Sequence, residues 1–293
     1  MTYDDIIVPE LLPPSEDGVF KTLLTHPDAQ PILRDVVESY LRFPVVKVDV
    51  RNVETPIADI NEKRERFDVC CAIDDGSQAD VEMMASHMEG DSQRTNHKII
   101  KYRAIYNLCD LHAKQPGRGE RYDKLLRSFQ MTFCGYTVFH HREQFVRRFS
   151  FRDEYGEELS DGVGIIFIEL TKLDGVIKNP VEDMSREEAW ALFFAYAADP
   201  KHRELISKLM SVRSEIKMAS ELLQTISVDE DERARFRMRR KFEMDMAHNY
   251  AVVRDERSME IAKNLLNDGD AIDKIIKVTG LTRKEVESLR DAE

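Results

Sequence analysis

Apolar residues recur along this chain with two periods, and the switches between them mark out the elements. In residues 28–43, Ile32, Val36, Val37, Tyr40 and Leu41 share one helical face, and Pro44 stops the helix. A strand is predicted over 45–53. In residues 66–85 the alternation becomes strict period two on both sides of Asp74-Asp75-Gly76, the pattern of a hairpin with a short turn. Helical spacing returns over 91–112 through Ile99, Tyr102, Ile105, Tyr106 and Cys109, and stops before Gln115-Pro116-Gly117. Three further strands, 129–139, 145–151 and 164–170, are rich in aromatic and β-branched residues. Beyond Asn179-Pro180 strand formers thin out, and helical spacing runs almost to the end.

These periods predict an α/β unit over residues 1–180, a mixed sheet flanked by helices, and a mostly helical region over 181–293. Within the latter, Leu205, Leu209, Val212, Ile216, Ala219, Leu223 and Ile226 form a seam at alternating gaps of four and three. Its first reading is an intramolecular bundle face; its second is a homodimer contact through the C-terminal helices.

The hairpin carries the most information. A three-residue turn with Gly76 left-handed pairs Ile73 with Ser77. Asp68 then lies opposite Glu82, Cys70 opposite Asp80 and Arg66 opposite Met84. One face carries Phe67, Val69, Cys71 and Ile73 with Ala79, Val81, Met83 and Ala85; the other carries Asp68, Asp80 and Glu82. A two-residue turn mixes these faces, so the hydrophobic pattern selects the first register. Opposed side chains have Cβ atoms about 4.5–5.5 Å apart, where two carboxylates repel unless a proton or cation sits between them. A hard divalent ion, Mg²⁺ or Mn²⁺, suits such oxygen ligands. A solvated acidic hairpin side has the same pattern, and spacing alone leaves both readings open.

Composition narrows the field. The chain has 293 residues, 42% hydrophobic and 33% charged, enough for a sizeable core under an ionised surface. A net charge of −12 excludes coating of nucleic acid by bulk charge, so any such contact is local. The longest apolar run, about nine residues near Trp190, falls short of the roughly twenty a spanning helix needs. Residues 1–14, acidic with three prolines, lack the pattern of a signal peptide, so a cytoplasmic location is expected. Cys70, Cys71, Cys109 and Cys134 show no zinc or disulfide spacing and read as buried reduced thiols. His87, His97, His140 and His141 show no ligand spacing. Glu38 and Glu54 are candidate extra carboxylates, and the basic run within 229–241 reads as the solvated side of a long helix.

Several short motifs then line up in order. They are Asp17-Gly18-Val19-Phe20-Lys21, Asn52-Val53-Glu54, Glu62-Lys63 leading to Phe67-Asp68-Val69, Val81-Glu82-Met83-Met84, and Arg94. A tail runs from Glu260-Ile261-Ala262-Lys263 through Val278-Thr279-Gly280-Leu281-Thr282 to Val286 and Leu289. In these pieces the sequence resembles the PD-(D/E)XK nuclease family transposases of bacteria. The resemblance implies a restriction-endonuclease-like core, DNA as substrate, and a catalytic Mg²⁺ or Mn²⁺ held by Asp68, Glu82 and the carbonyl of Met83. It also implies a Lys or Gln two residues after the Glu, where this chain has Met84. A thioether cannot donate a proton, so Lys21 of the matching Phe-Lys motif becomes the candidate replacement.

Two function readings follow. One is a metal-dependent DNA endonuclease linked to recombination or mobile elements. Its local phosphate contacts are Arg94, Arg118, Arg121, Lys124 and Arg127, with Arg142, Arg147 and Arg148. The other, motivated by Met84 and the acidic balance, is a catalytically impaired nuclease-fold module that binds DNA or protein. In residues 272–289 two short amphipathic helices flank Gly280, with Thr282 capping the second through Glu285. Their balanced charges favour packing over base reading.

Overall fold

The structure, a computed structural model, describes residues 10–51, 69–85, 92–115 and 121–290, the side chains of 92–97, 243 and 247 excepted. Two helices open it, α1 (Asp17–Thr25) and α2 (Gln30–Leu41). Arg42 caps α2 in the left-handed region, with φ of 60° and its N–H on the Glu38 carbonyl, two residues before Pro44. Next come β1 (Val48–Val50), β2 (Val69–Ile73), β3 (Gln78–Met84) and α3 (Ser92–Ala113). Strands β4 (Ser128–Cys134), β5 (Val146–Phe149) and β6 (Val163–Glu169) complete a six-stranded sheet of order β1-β2-β3-β4-β6-β5. The central strands β3, β4 and β6 are parallel; the other pairings are antiparallel. This mixed sheet with flanking helices is the fold class the periods predict.

The hairpin register is the predicted one: Val69 pairs with Val81, Cys70 with Asp80 and Cys71 with Ala79. Its turn is closed by Ile73 N–H on the Ser77 carbonyl and Gly76 N–H on the Ile73 carbonyl, both 2.8 Å, with Gly76 at φ of 86°. Strands β1, β4 and β5 are shorter than predicted, and β6 lies one residue earlier at the predicted length. Beyond Cys134 the chain turns back, and Val138 and Phe139 give their N–H groups to the buried Glu169 carboxylate at 2.6 and 3.0 Å. A side chain, rather than a neighbouring strand, satisfies that backbone, so β4 ends early.

The strands' odd and even positions face different surroundings. Val69, Cys71, Ile73, Ala79, Val81, Met83, Met131, Phe133, Ile166 and Ile168 enter the main core. The even-numbered residues of β3 and β4 face the other way.

The main core also takes in α1, α2, α4 (Arg186–Tyr196), α5 (Arg203–Val212) and α6 (Ser214–Val228). Leu209, Ile216, Ala219, Leu223 and Ile226 are buried in it, so the seam over 205–226 is an intramolecular face. Packing divides the chain after Phe236. The composition change near residue 180 therefore marks where strands stop, while α4 to α6 pack with the sheet. The second unit contains most of α7 (Glu230–Asn267), with α8 (Ile272–Thr279) and α9 (Arg283–Arg290) around a small core of Ala262, Ile275, Leu281 and Val286. Gly280 is left-handed at φ of 75°, and Thr282 and Glu285 make the predicted reciprocal cap. Among the described residues no helix is long and apolar enough to cross a membrane.

Candidate active site

Helix α3 covers the sheet face opposite the main core. Its buried side is Ile100, Ala104, Leu108 and Leu111, and the first three pack with Cys134, Ile165 and Phe167. Ile99, Tyr102, Ile105 and Tyr106, whose spacing announces the helix, are 49–62% exposed. The period locates the helix correctly, but its buried side is an adjacent stripe, Ile100, Ala104, Leu108 and Leu111. The sheet beneath is apolar along β6 and polar along β3 and β4, where Asp80, Glu82, Ser128, Gln130 and Thr132 are all at most 1% exposed.

Some of these polar groups are satisfied. Ser128 Oγ meets His112 Nδ1 at 3.0 Å and accepts from Gln115 Nε2 at 2.7 Å. Glu82 Oε1 is ion-paired with the guanidinium of Arg103 from α3, without a hydrogen bond of good geometry, and Oε2 lies 3.5 Å from the Gln130 amide nitrogen. Burial nonetheless raises the Glu82 pKa; Arg103 opposes this, and Asp17 at the start of α1 adds to it. Tyr136, beyond β4, feels the Glu82 charge too, and burial pushes its phenol up.

Asp80 is different. It sits between Cys70 of β2 and Gln130 of β4 in the ladder, fully buried, and among the described residues no hydrogen bond of good geometry reaches either carboxylate oxygen, although the Gln130 side chain is a neighbouring donor that acts on it. Burial, and then the charge of Glu82, push its pKa up to about 8, against the pull of Gln130, Arg103 and Lys21. Gln130 Oε1 is also buried without a partner. Such groups cost several kcal/mol in a dry interior unless a proton or cation meets them.

A divalent ion fits this donor chemistry, which consists of hard oxygens alone. Among the described residues no three His, Cys, Asp or Glu side chains converge, so an ion at Asp80 and Glu82 would need further ligands. Asp68 lies outside the described residues, as do Arg118, Glu54 and His87, and the side chains of Arg94 and His97. Met83 turns its thioether into the main core, leaving only its main chain to the other side. Lys21 is half-buried on α1, and its charge acts on Asp80 without a hydrogen bond.

The expected phosphate contacts fare unevenly. Arg121 is exposed but pairs with Asp123 at 2.7 Å, and Lys124 is exposed on a short turn beside it. Three others are already engaged by groups of the fold. Arg127 pairs with Asp75 and lies 4.1 Å over the Phe43 ring, bracing the hairpin turn. Arg148 donates to the Tyr40 carbonyl and Glu187, and Arg147 lies over Phe139 and Phe149. Glu38 pairs with Arg186, away from the acids. His140 and His141 are exposed.

Asp80, Gln130 and Arg103 are the site residues that sequence reasoning did not select. Asp80 was on the right face by parity. Gln130 and Thr132 alternate with Phe129, Met131 and Phe133, a signal that two polar positions face the acids. Arg103 had no signal, since its role depends on which side of α3 is buried.

The chain matches the model of a family described as PD-(D/E)XK nuclease family transposase over residues 14–252. Comparisons with curated proteins and with solved structures find no match.

Proposed function

The chain belongs to the PD-(D/E)XK nuclease family transposases, and from that premise we propose that it is a metal-dependent DNA endonuclease serving recombination or mobile elements. The observation that carries this reading is the buried, unpartnered Asp80 carboxylate beside Glu82 on β3. Glu82 and Asp80 would hold Mg²⁺ or Mn²⁺, with the Met83 carbonyl and Asp68, which precedes β2 and has the sequence parity of Cys70. The ion would supply Lewis-acid stabilisation of the phosphoryl charge and a more acidic attacking water.

The chain's own groups do the rest. Asp80 and Glu82 place two carboxyl groups in a buried site where an ion would displace the proton that burial favours, and α3 screens that site from solvent. Exposed Lys124 offers local positive charge against a net −12, and Arg121 beside it would do so on leaving Asp123. The reaction is hydrolysis: water adds to phosphorus, the P–O ester bond breaks, and the released oxygen takes up a proton.

Plasmid nicking or linearisation in Mg²⁺ or Mn²⁺, abolished by Asp68→Ala and by Glu82→Ala, is the expected result. Equal cutting by parent and both variants overturns the proposal.

A second reading has its own observation. Met84, on the Glu82 face, packs against the apolar cluster of Ile100, Ala104 and Cys134 and offers no polar atom to a phosphate. On that basis the protein would bind DNA or a protein partner without cutting. Calorimetric titration with Mn²⁺ separates the two, since an endonuclease binds the ion and loses binding with Glu82→Ala.

A further inference from the structure

Position 84 is two residues beyond Glu82 on the same face of β3, where a charged or amide side chain would lie along a bound phosphate; here a thioether fills it. The charge has to come from elsewhere. On α3, Lys98 lies over Tyr102 and Lys101 over Phe139, at 5.9 and 4.5 Å, so both are turned to rings. Lys21 acts on Asp80 only through space. Arg103 is the described cation that touches an acid of the site.

Its position has a structural cause. The next residue, Ala104, is fully buried, and its small side chain lets that turn of α3 rest close against the sheet. The Arg103 side chain is 43% exposed, yet its guanidinium reaches a Glu82 whose side chain is 2% exposed. It therefore connects solvent, where a DNA strand would lie, with the buried acid. A guanidinium carries five N–H donors in a planar fork, matched to two oxygens of a phosphate, and it stays charged at any working pH.

We propose that Arg103 supplies from α3 the positive charge that strand position 84 lacks, holding the non-bridging oxygens of the scissile phosphate when Glu82 is engaged by the cation. The inference rests on the nuclease reading and adds to it a residue in contact with substrate. Glu82 then has two alternating partners: Arg103 in the metal-free protein and the ion in the loaded one. Arg103 is released toward the phosphate as the ion arrives.

The test uses the full chain and two readouts that move apart. Arg103→Ala should lower plasmid cleavage about 10²-fold or more, the usual loss for a removed charge stabiliser. In calorimetry the same variant should bind Mn²⁺ as tightly as the parent or tighter, because a competing cation for Glu82 is gone. Introducing Met84→Lys into Arg103→Ala should recover most of the cleavage. A role as a structural prop predicts weakened Mn²⁺ binding and a lowered melting temperature in metal, with no recovery from Met84→Lys. That pattern, or an Arg103→Ala variant that cuts like the parent, overturns the inference and leaves the nuclease reading standing. A parent protein that binds Mn²⁺ but never cuts overturns both. If Arg103→Ala does not fold, Arg103→Gln, which keeps most of the stem, is read in the same two assays.

Discussion

Two buried aspartates on opposite faces of the sheet show how this chain separates structure from chemistry. Asp35, on α2 against the main core, is 6% exposed and fully employed: Trp190 Nε1 donates to one oxygen at 2.7 Å and Arg186 to the other at 3.0 Å. Asp80, under α3, is more deeply buried, and among the described residues no hydrogen bond of good geometry reaches it. A buried carboxylate with donors supplied by the fold holds elements together. One without them makes the fold less stable unless a proton or a cation meets it.

The largest expected effect tests the functional half of that contrast. Glu82→Gln should reduce cleavage by about 10³-fold, because the ion loses a charged ligand while shape and burial are kept. Asp35→Asn should leave cleavage per folded molecule unchanged. Equal losses in the two variants would erase the distinction between the faces.

The same pair should separate again in stability. Asp35→Ala strands the indole N–H of a Trp190 that is 1% exposed and leaves Arg186 with Glu38 as its partner, costing about 1–3 kcal/mol in urea unfolding. Asp80→Asn in chelator should cost nothing, or add about 1–3 kcal/mol, since the amide does not bear the cost of keeping a buried carboxyl protonated far above its ordinary value. A loss at Asp80 as large as that at Asp35 would mean that residues outside the described ones already satisfy it.

Much of this was legible in the sequence, for definite physical reasons. The hairpin register follows from one left-handed glycine and strict alternation, and both are local signals; the observed pairs Val69 with Val81 and Cys70 with Asp80 reproduce it. The reciprocal cap at Thr282 and Glu285 is local in the same way. The site was only half legible, because it is assembled from three elements. Alternation places Glu82 and Asp80 on one face, but it cannot reveal that Gln130 lies beside Asp80, since parallel pairing of β3 with β4 joins segments far apart in sequence. Nor can it say that α3 buries Ile100 and Ala104 rather than Ile99 and Tyr102, which decides where Arg103 points. Arg127 and Arg148 looked like free cations because their partners, Asp75 and Glu187, are distant in the chain.

Acidity offers a finer test of Asp80. In the unfolded chain its carboxyl loses its proton near the ordinary value of 3.8; in the folded, metal-free protein burial holds the proton until about 8. Between those values the native state binds more protons than the unfolded one, so stability falls as pH rises from about 4 to 8, by up to about 1.4 kcal/mol per pH unit, and levels off above. Asp80→Asn should flatten most of this slope, leaving the smaller contribution of Glu82, whose pKa is also raised. Saturating Mn²⁺ should reverse the sign, because the ion binds the deprotonated groups and binds more tightly as pH rises. Urea titrations at several pH values, with and without metal, check both signs; a parent slope that Asp80→Asn leaves intact would place the burden elsewhere.

The smallest effect comes from a position that serves both faces at once. Gly76 closes the hairpin at φ of 86°, and an added Cβ would lie 2.6 Å from Cδ1 of Leu126. That contact can relax, because Leu126 is 44% exposed and its end is free to rotate. The backbone angle cannot, so Gly76→Ala should cost about 1 kcal/mol, essentially the price of a left-handed alanine. The register itself should survive: β3 is also held by its parallel pairing with β4 from Gln78–Ser128 to Met84–Cys134, and a one-residue slip would bury Asp80 and Glu82 in the main core. Gly76→Ala should therefore unfold at slightly lower urea while binding Mn²⁺ with the parent's affinity. A loss of ion binding larger than the loss of stability would show that the turn, and not the sheet, sets which face the acids occupy.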